Sequence, residues 1–159
     1  MPIAFYGAQE KPYGCFSNFS PHGFKLDGAL WPTVEHYFQA QKFHGTHHVD
    51  IIRKLATPAD AKRLGRQHRL PLRPDWEGVK DDVMRRAVLR KFETHADLRA
   101  ILLATGDEEI IENSPSDYYW GCGKTGTGKN RLGQILMEVR AILREQARRD
   151  HQENMASSV

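Results

Sequence analysis

Cysteine is scarce in this chain. Its 159 residues hold only Cys15 and Cys122, too few for a disulfide framework to stand in for a core. No apolar run approaches the roughly 20 residues that a membrane helix needs. The start, Met1-Pro-Ile-Ala-Phe-Tyr-Gly7, has neither a basic n-region nor an apolar h-region, so no signal peptide is read and a cytoplasmic setting is expected. Charge is not strongly one-sided: 23 Lys+Arg against 20 Asp+Glu leave a formal net charge of +3. That bias suits an anionic small ligand and is too weak to define a dedicated nucleic-acid binder. Repeats, low-complexity segments and the strand–helix alternation of a doubly wound sheet are also missing.

What is present is enough for one folded domain. Hydrophobic residues make up 40% of the chain, a normal supply for a core at this length. The first third reads as short strands and loops. Phe5 and Tyr6 begin it, and Asp27-Gly28 interrupts two short apolar/polar alternations in "FKLDGALW". Asp-Gly there predicts a tight hairpin, whose turn residues both need φ > 0.

The remainder reads as helices. Thr33 caps "VEHYFQAQKF", which runs to near Gly45, and a short helix spans about Val49 to Ala56. Thr57-Pro58-Ala-Asp60 restarts the chain as cap, first-turn proline and first-turn acid. Asp75 is placed to cap a helix from Trp76 to about Glu93, followed by another from Ala96 to Ala104. Glu109 to Glu112, "EIIE", reads as a short strand. The clearest amphipathic stripe is Leu132, Ile135, Leu136, Val139, Ile142 and Leu143, on a helix from Arg131 to about Ala147. Residues 1–147 form the expected domain, and the polar residues 148–159 form a tail expected to fray. The fold class is therefore mostly α (α+β): a compact single domain of packed helices with a small antiparallel β element near the N-terminus.

Gly123 to Lys129 spells G-x-x-x-x-G-K, the start of a P-loop. The pattern requires Ser or Thr next, for Mg²⁺, and here the residue is Asn130. The preceding "SDYYW" is no buried apolar strand, which argues against a nucleotide hydrolase. Two readings stay open: a phosphate cradle of glycine amides, helix N-terminus, Lys124, Lys129 and Arg131, or a surface loop capped by Asn130.

In "WPTVEHYFQAQKF" the helical period puts Glu35, Gln39 and Lys42 on one face. Such a row is ordinarily a solvated surface, but Trp31, Tyr37, Phe38 and Phe43 crowd it beyond what a small core takes from one helix. Asn18 sits between Phe16 and Phe19, where it serves either an Asx turn or the edge of a planar ligand. Asp117 with Tyr119 and Trp120 offers a carboxylate and stacking faces, or simply core aromatics and a turn. His44, His47 and His48 lack the partners of a tetrahedral metal site. The basic run from Arg53 to Trp76 reads mostly as solvated surface.

Together these stretches resemble the NADAR family. "FYG", "FSNF", "WPTVEHYFQAQKF", "ADAKRLGR", the long block from "PLRPDWEGV" to "AILLAT", "YYWG" and "GTGKNRLG" recur in order from about Ile3 to Arg144. The resemblance implies a compact helical fold and an N-glycosidase cleaving a ribosyl C–N bond, without a metal or other cofactor. In one branch the substrates are ribosylamino-pyrimidine 5′-phosphates, early riboflavin-pathway intermediates; other members remove ADP-ribose from guanine in nucleic acid. The implied partner is thus a phosphorylated ribosyl small molecule, with ADP-ribosylated nucleic acid as the alternative; a non-catalytic sensor of ADP-ribose is a further rival. Carried onto this sequence, the resemblance implies catalytic roles for Glu35, Lys42 and Asp117. It matches Asn18, Phe19, Trp76, Trp120, Lys129, Asn130 and Arg131 to substrate-binding positions, to which the residue pattern adds Gln39 and Tyr119. Phe19, Trp76, Tyr119 and Trp120 are expected to stack on the base, and Lys129 and Arg131 to hold the 5′-phosphate. Cys122 and Thr125 depart from the usual loop residues.

Overall fold

A computed structural model describes residues 1–158. Its strands are β1 (Ile3–Phe5), β2 (Phe24–Leu26), β3 (Ala29–Trp31) and β4 (Ile110–Glu112). Its helices are α1 (Val34–Gln41), α2 (His48–Arg53), α3 (Pro58–Gly65), α4 (Trp76–Thr94), α5 (Ala96–Ala104) and α6 (Arg131–Ser157), with one 3₁₀ turn at Tyr13–Phe16. This is the mostly helical α+β domain read from the sequence.

The hairpin forms as expected. Phe24 pairs with Trp31 and Leu26 with Ala29 in an antiparallel register. Asp27 and Gly28 turn between them at φ 53° and 77°. Asp27 also ties the hairpin to the helices: Tyr37 donates to its carboxylate at 2.7 Å and Arg86 at 2.5 Å. The short strand at 110–112 forms as read, but its partner was not legible. β1 and β4 pair in parallel, Phe5 opposite Glu112, across more than a hundred residues of chain.

At the centre lies α1, all eight of whose residues are buried. It packs against α2, α3, α4 and β3. The Thr33 hydroxyl accepts from the His36 amide at 3.1 Å and closes its N-terminus. The His36 ring bridges that hydroxyl (2.8 Å) and the Leu55 carbonyl (3.0 Å). α6 covers the opposite side, against α4, α5 and β4. Gly133 is required there, because a Cβ would lie 2.1 Å from the Ile110 carbonyl oxygen.

Two sequence expectations are corrected. The tail does not fray after Ala147; α6 continues to Ser157. No glycine or proline lies between Ala147 and Ser157, and Arg148 and Arg149 reach back to Glu145 at 2.5 and 3.3 Å, pairs that support a helix. Asp75 makes no side-chain cap at α4; Arg73 takes its carboxylate at 2.6 and 3.0 Å instead.

One buried cation stands out. Lys91 of α4 is 1% exposed, and its Nζ donates to the Ser17 carbonyl at 3.1 Å. Burial holds its pKa down at about 7. In the unfolded chain the amine keeps its proton to about pH 10.5, so between those limits the unfolded state binds more protons and stability rises with pH. Urea titrations between pH 7.5 and 9.5 should show this rise, up to about 1.4 kcal/mol per pH unit from Lys91 alone, and Lys91→Met should flatten it. An unchanged slope in that variant would refute the assignment.

Candidate active site

A cleft opens between α1, α3, the start of α4, the end of β4 and the segment before α6. Its inner chamber, about 210 Å³, has walls from Asn18, Glu35, Gln39, Lys42, Trp76 and Trp120, among others. An outer chamber of about 630 Å³ adjoins it. Besides Ser17, the two share Phe19, Lys62, Arg66, Glu112, Asp117 and Tyr119.

The row on α1 faces inward. Glu35 is 7% and Gln39 3% exposed, so the solvated-face reading does not hold. Gln39 Nε2 donates to Glu35 Oε1 at 2.8 Å. The other end of the amide packs on α3, where a Cβ on Gly65 would lie 2.1 Å from Gln39 Oε1. Gly65 therefore lets α3 approach α1 closely enough to lock the amide, and the amide orients the carboxylate. Burial raises the Glu35 pKa, opposed by Gln39 and by Lys62, Lys42 and Arg66.

Lys42 lies one residue beyond α1, as its C-cap, because the helix ends at Gln41 rather than near Gly45. Its Nζ donates to the Gly65 carbonyl at 3.3 Å and stands 5.8 and 5.9 Å from the Phe38 and Trp76 ring centres. Burial lowers its pKa; Glu35 opposes the shift, and Arg66 and Lys80 add to it. The site thus holds an amine that releases its proton more readily than an exposed lysine, beside a carboxylate that accepts one more readily than an exposed glutamate.

Asp117 serves the backbone first. Its Oδ1 accepts from the Tyr119 and Trp120 amides at 2.9 and 2.8 Å, a turn that sets both rings on the cleft wall. Tyr119 donates to Asp81 at 2.6 Å. Trp76, Phe38, Trp120 and Tyr119 form a chain of edge contacts with centroids 4.8 to 5.3 Å apart. Asn18 leaves its Oδ1 buried and without a partner among the described residues.

Nine of the twelve residues named from the sequence meet in this cleft; Lys129, Asn130 and Arg131 do not line it. The glycine loop is not an open amide cradle. Gly123, Gly126, Gly128, Lys129, Asn130 and Arg131 donate their amides to carbonyls of residues 114–123. Asn130 adopts the left-handed conformation and makes no helix cap. Its amide side chain instead bonds β4, accepting from Glu112 N and donating to Ile110 O, both at 2.9 Å. Arg131 pairs with Asp81 at 3.2 Å, and Lys129 stands 5.4 Å from the Tyr119 ring centre.

Lys62, Arg66 and Glu112 also line the cleft. In the sequence the first two belong to a basic run that reads mostly as surface, and the third to a short strand with no evident partner. Among the described residues Lys62 and Arg66 take part in no ion pair; the pairs around the cleft use Arg63, Lys80 and Arg131 instead. Burial, then the charges of Asp117 and Glu35, push the Glu112 pKa up to about 7. Among the described residues no group of three or more His, Cys, Asp or Glu is placed to hold a metal, and no helix is long and apolar enough to cross a membrane.

In this compact α+β domain a half-buried amine thus joins a buried acid and amide in an aromatic cleft. The NADAR domain pattern covers residues 4–144, and the chain belongs to that family. It is 53% identical over 147 residues to the N-glycosidase Npun_R5314 of Nostoc punctiforme, spanning 91% of this chain and 94% of that protein. It is 51% identical over 141 residues to the N-glycosidase YbiA of Escherichia coli, spanning 89% and 88%. The NMR structure of E. coli YbiA superimposes with a TM-score of 0.86 over 92% of this chain and 87% of that one, at 49% identity. The chloroplastic riboflavin biosynthesis protein PYRR of Zea mays is 44% identical over 154 residues, 87% of this chain but 25% of the maize protein.

Gly65→Ala should force α1 and α3 apart, lowering both turnover, by tenfold or more, and Tm. Gly78→Ala is the control: it sits on α4 with open space around its Cβ and should stabilise by about 0.5–1 kcal/mol. Full activity in Gly65→Ala would show that the amide lock is dispensable.

Proposed function

We propose that this protein is an N-glycosidase that hydrolyses the ribosyl C–N bond of ribosylamino-pyrimidine 5′-phosphates, early intermediates of riboflavin biosynthesis. The observation that carries the reading is the row on α1: a buried glutamate, an amide holding it, and a lysine whose ammonium form is disfavoured by burial. The names of the bacterial relatives supply the reaction class, and the maize relative's name supplies the pathway.

The chemistry follows from those groups. A ribosylamine opens readily to its imine, leaving an electrophilic C1′. Neutral Lys42 adds to that carbon, giving up one proton through Glu35 to the pyrimidine nitrogen. When the C1′–N bond breaks, its electron pair stays on that nitrogen, which takes a second proton from a carboxylic acid of the cleft, and an iminium joins Lys42 to C1′. Water adds to C1′ and gives one proton back to that carboxylate; the new hydroxyl's proton goes to Nζ as the Lys42–C1′ bond breaks. The products are the free aminopyrimidine and ribose 5-phosphate in its aldehyde form. Asp117 adds negative charge beside the iminium.

Stacking of the base falls to Phe19, Trp76, Tyr119 and Trp120 on the cleft wall. The phosphate goes to Lys62 and Arg66, the two unpaired cations shared by both chambers, rather than to Lys129 and Arg131. The glycine loop supports this arrangement from behind.

Glu35→Gln and Lys42→Ala should each lower kcat by on the order of 100-fold or more, with cooperative unfolding retained; full activity in both would sink the assignment. Borohydride added during turnover should leave a ribose phosphate adduct on Lys42 by mass spectrometry, and its absence would point to direct attack by water. Replacing both Lys62 and Arg66 by alanine should raise KM for the phosphorylated substrate at least tenfold and leave the dephosphorylated one unchanged. Release of free base from ADP-ribosylated guanosine, and none from the pyrimidine, would replace the substrate assignment. Tight binding of either without release would mark a sensor.

A further inference from the structure

Glu112 ends β4 on the cleft wall, and one of its two carboxyl oxygens finds no partner among the described residues. Its Oε2 is shut off from solvent and has no hydrogen-bond partner among the described residues, although it stands on the wall common to both chambers. The main chain beneath it is held on both edges. Cys122 donates to its carbonyl at 2.9 Å, Asn130 accepts from its amide at 2.9 Å, and β4 is paired to β1 through Phe5. The side chain is thus aimed by a rigid frame. An ionised carboxylate in that place would leave an unpaired oxygen buried, whereas a carboxylic acid offers a proton to whatever fills the chamber.

The surroundings favour the acid form. Glu35 faces Glu112 from α1 and Asp117 from the turn before α6; Lys62 on α3, Arg66 just beyond it, Lys42 after α1 and Lys80 on α4 face the same space. Burial comes first, and the two carboxylates outweigh Lys62, so the group titrates at about 7 instead of in the usual glutamate range. It carries its proton at mildly acid pH and gives it up across neutrality.

We propose that Glu112 is the catalytic acid that protonates the departing pyrimidine nitrogen. The inference rests on the N-glycosidase reading above. As the C1′–N bond breaks, its electron pair moves onto nitrogen, which takes the Glu112 proton; the carboxylate recovers a proton from the water that then adds to C1′. Glu35 handles the proton lost by Lys42, and Glu112 supplies the one that makes the pyrimidine amine a neutral leaving group.

The test combines a pH–rate profile with a titration that needs no turnover. With a ribosylamino-pyrimidine 5′-phosphate between pH 5 and 9, wild-type kcat should fall above about pH 7. Glu112→Gln should lower kcat about 100-fold, keep KM within about threefold and lose the alkaline limb. Glu112→Asp should restore part of the limb. A kcat within tenfold of wild type in Glu112→Gln, or an alkaline limb that survives there, overturns the proposal. In parallel, ¹³C NMR of the wild-type protein, assigned through the backbone, should show the Glu112 carboxyl titrating near pH 7. A midpoint below pH 5 overturns the proposal even if Glu112→Gln fails to fold. Failure of the wild type to release pyrimidine at any pH overturns the substrate reading instead, and the carboxyl titration still decides Glu112.

Discussion

The burial of α1 on every face is the constraint on which the rest of this protein depends. A helix of eight residues carrying Glu35, His36, Gln39 and Gln41 does not enter a core cheaply, because each polar group must find a partner there. His36 is satisfied by Thr33 and Leu55, and Glu35 by Gln39. What remains over, the Gln39 Oε1 that finds no partner among the described residues, the carboxyl of Glu35 and the lowered proton affinity of Lys42, belongs to the site. Perturbed groups gathered in a cleft are the ordinary mark of a functional site, and here the perturbation comes chiefly from helix packing, not from a metal or a distant charge.

The glycine loop plays a supporting part. Its amides are consumed within the loop and by the segment before it, so no ring of donors is left to cradle a phosphate. The loop holds β4 against α6, with Asn130 reaching across to both Ile110 and Glu112. The residue that breaks the P-loop pattern is the one that secures the strand. A serine hydroxyl has one donor and is too short to bridge two main-chain positions in this way; the amide has a donor and an acceptor on one planar group.

Charges of both signs crowd the cleft. Glu35, Glu112 and Asp117 line it together with Lys42, Lys62, Arg66 and Lys80. The cations lie on α3, on the start of α4 and after α1; the acids come from α1, β4 and the turn before α6. A cleft with both signs this close together can hold an anion and also meet positive charge developing at a reacting carbon. The modest net charge of the whole chain conceals this local concentration of charge.

Most of the helical architecture was legible in the sequence, since it follows from spacing and local chemistry: the Thr33 and Thr57 caps, the Asp27-Gly28 turn and the amphipathic stripe of α6. The row Glu35–Gln39–Lys42 was legible for the same reason, as helical period puts those residues on one side whatever surrounds them. The side on which the row would fall was not, because burial is a property of what packs against a helix. Tertiary structure alone decided the parallel pairing of β1 with β4, which depends on contacts a hundred residues apart. It also turned Lys62, Arg66 and Glu112 from an apparent surface run and an isolated strand into walls of one cleft. The sequence by itself determined which local elements could form and which chemical groups they carried. The fold determined which of those groups lost water, and it is the loss of water that moves a proton affinity and makes a side chain reactive.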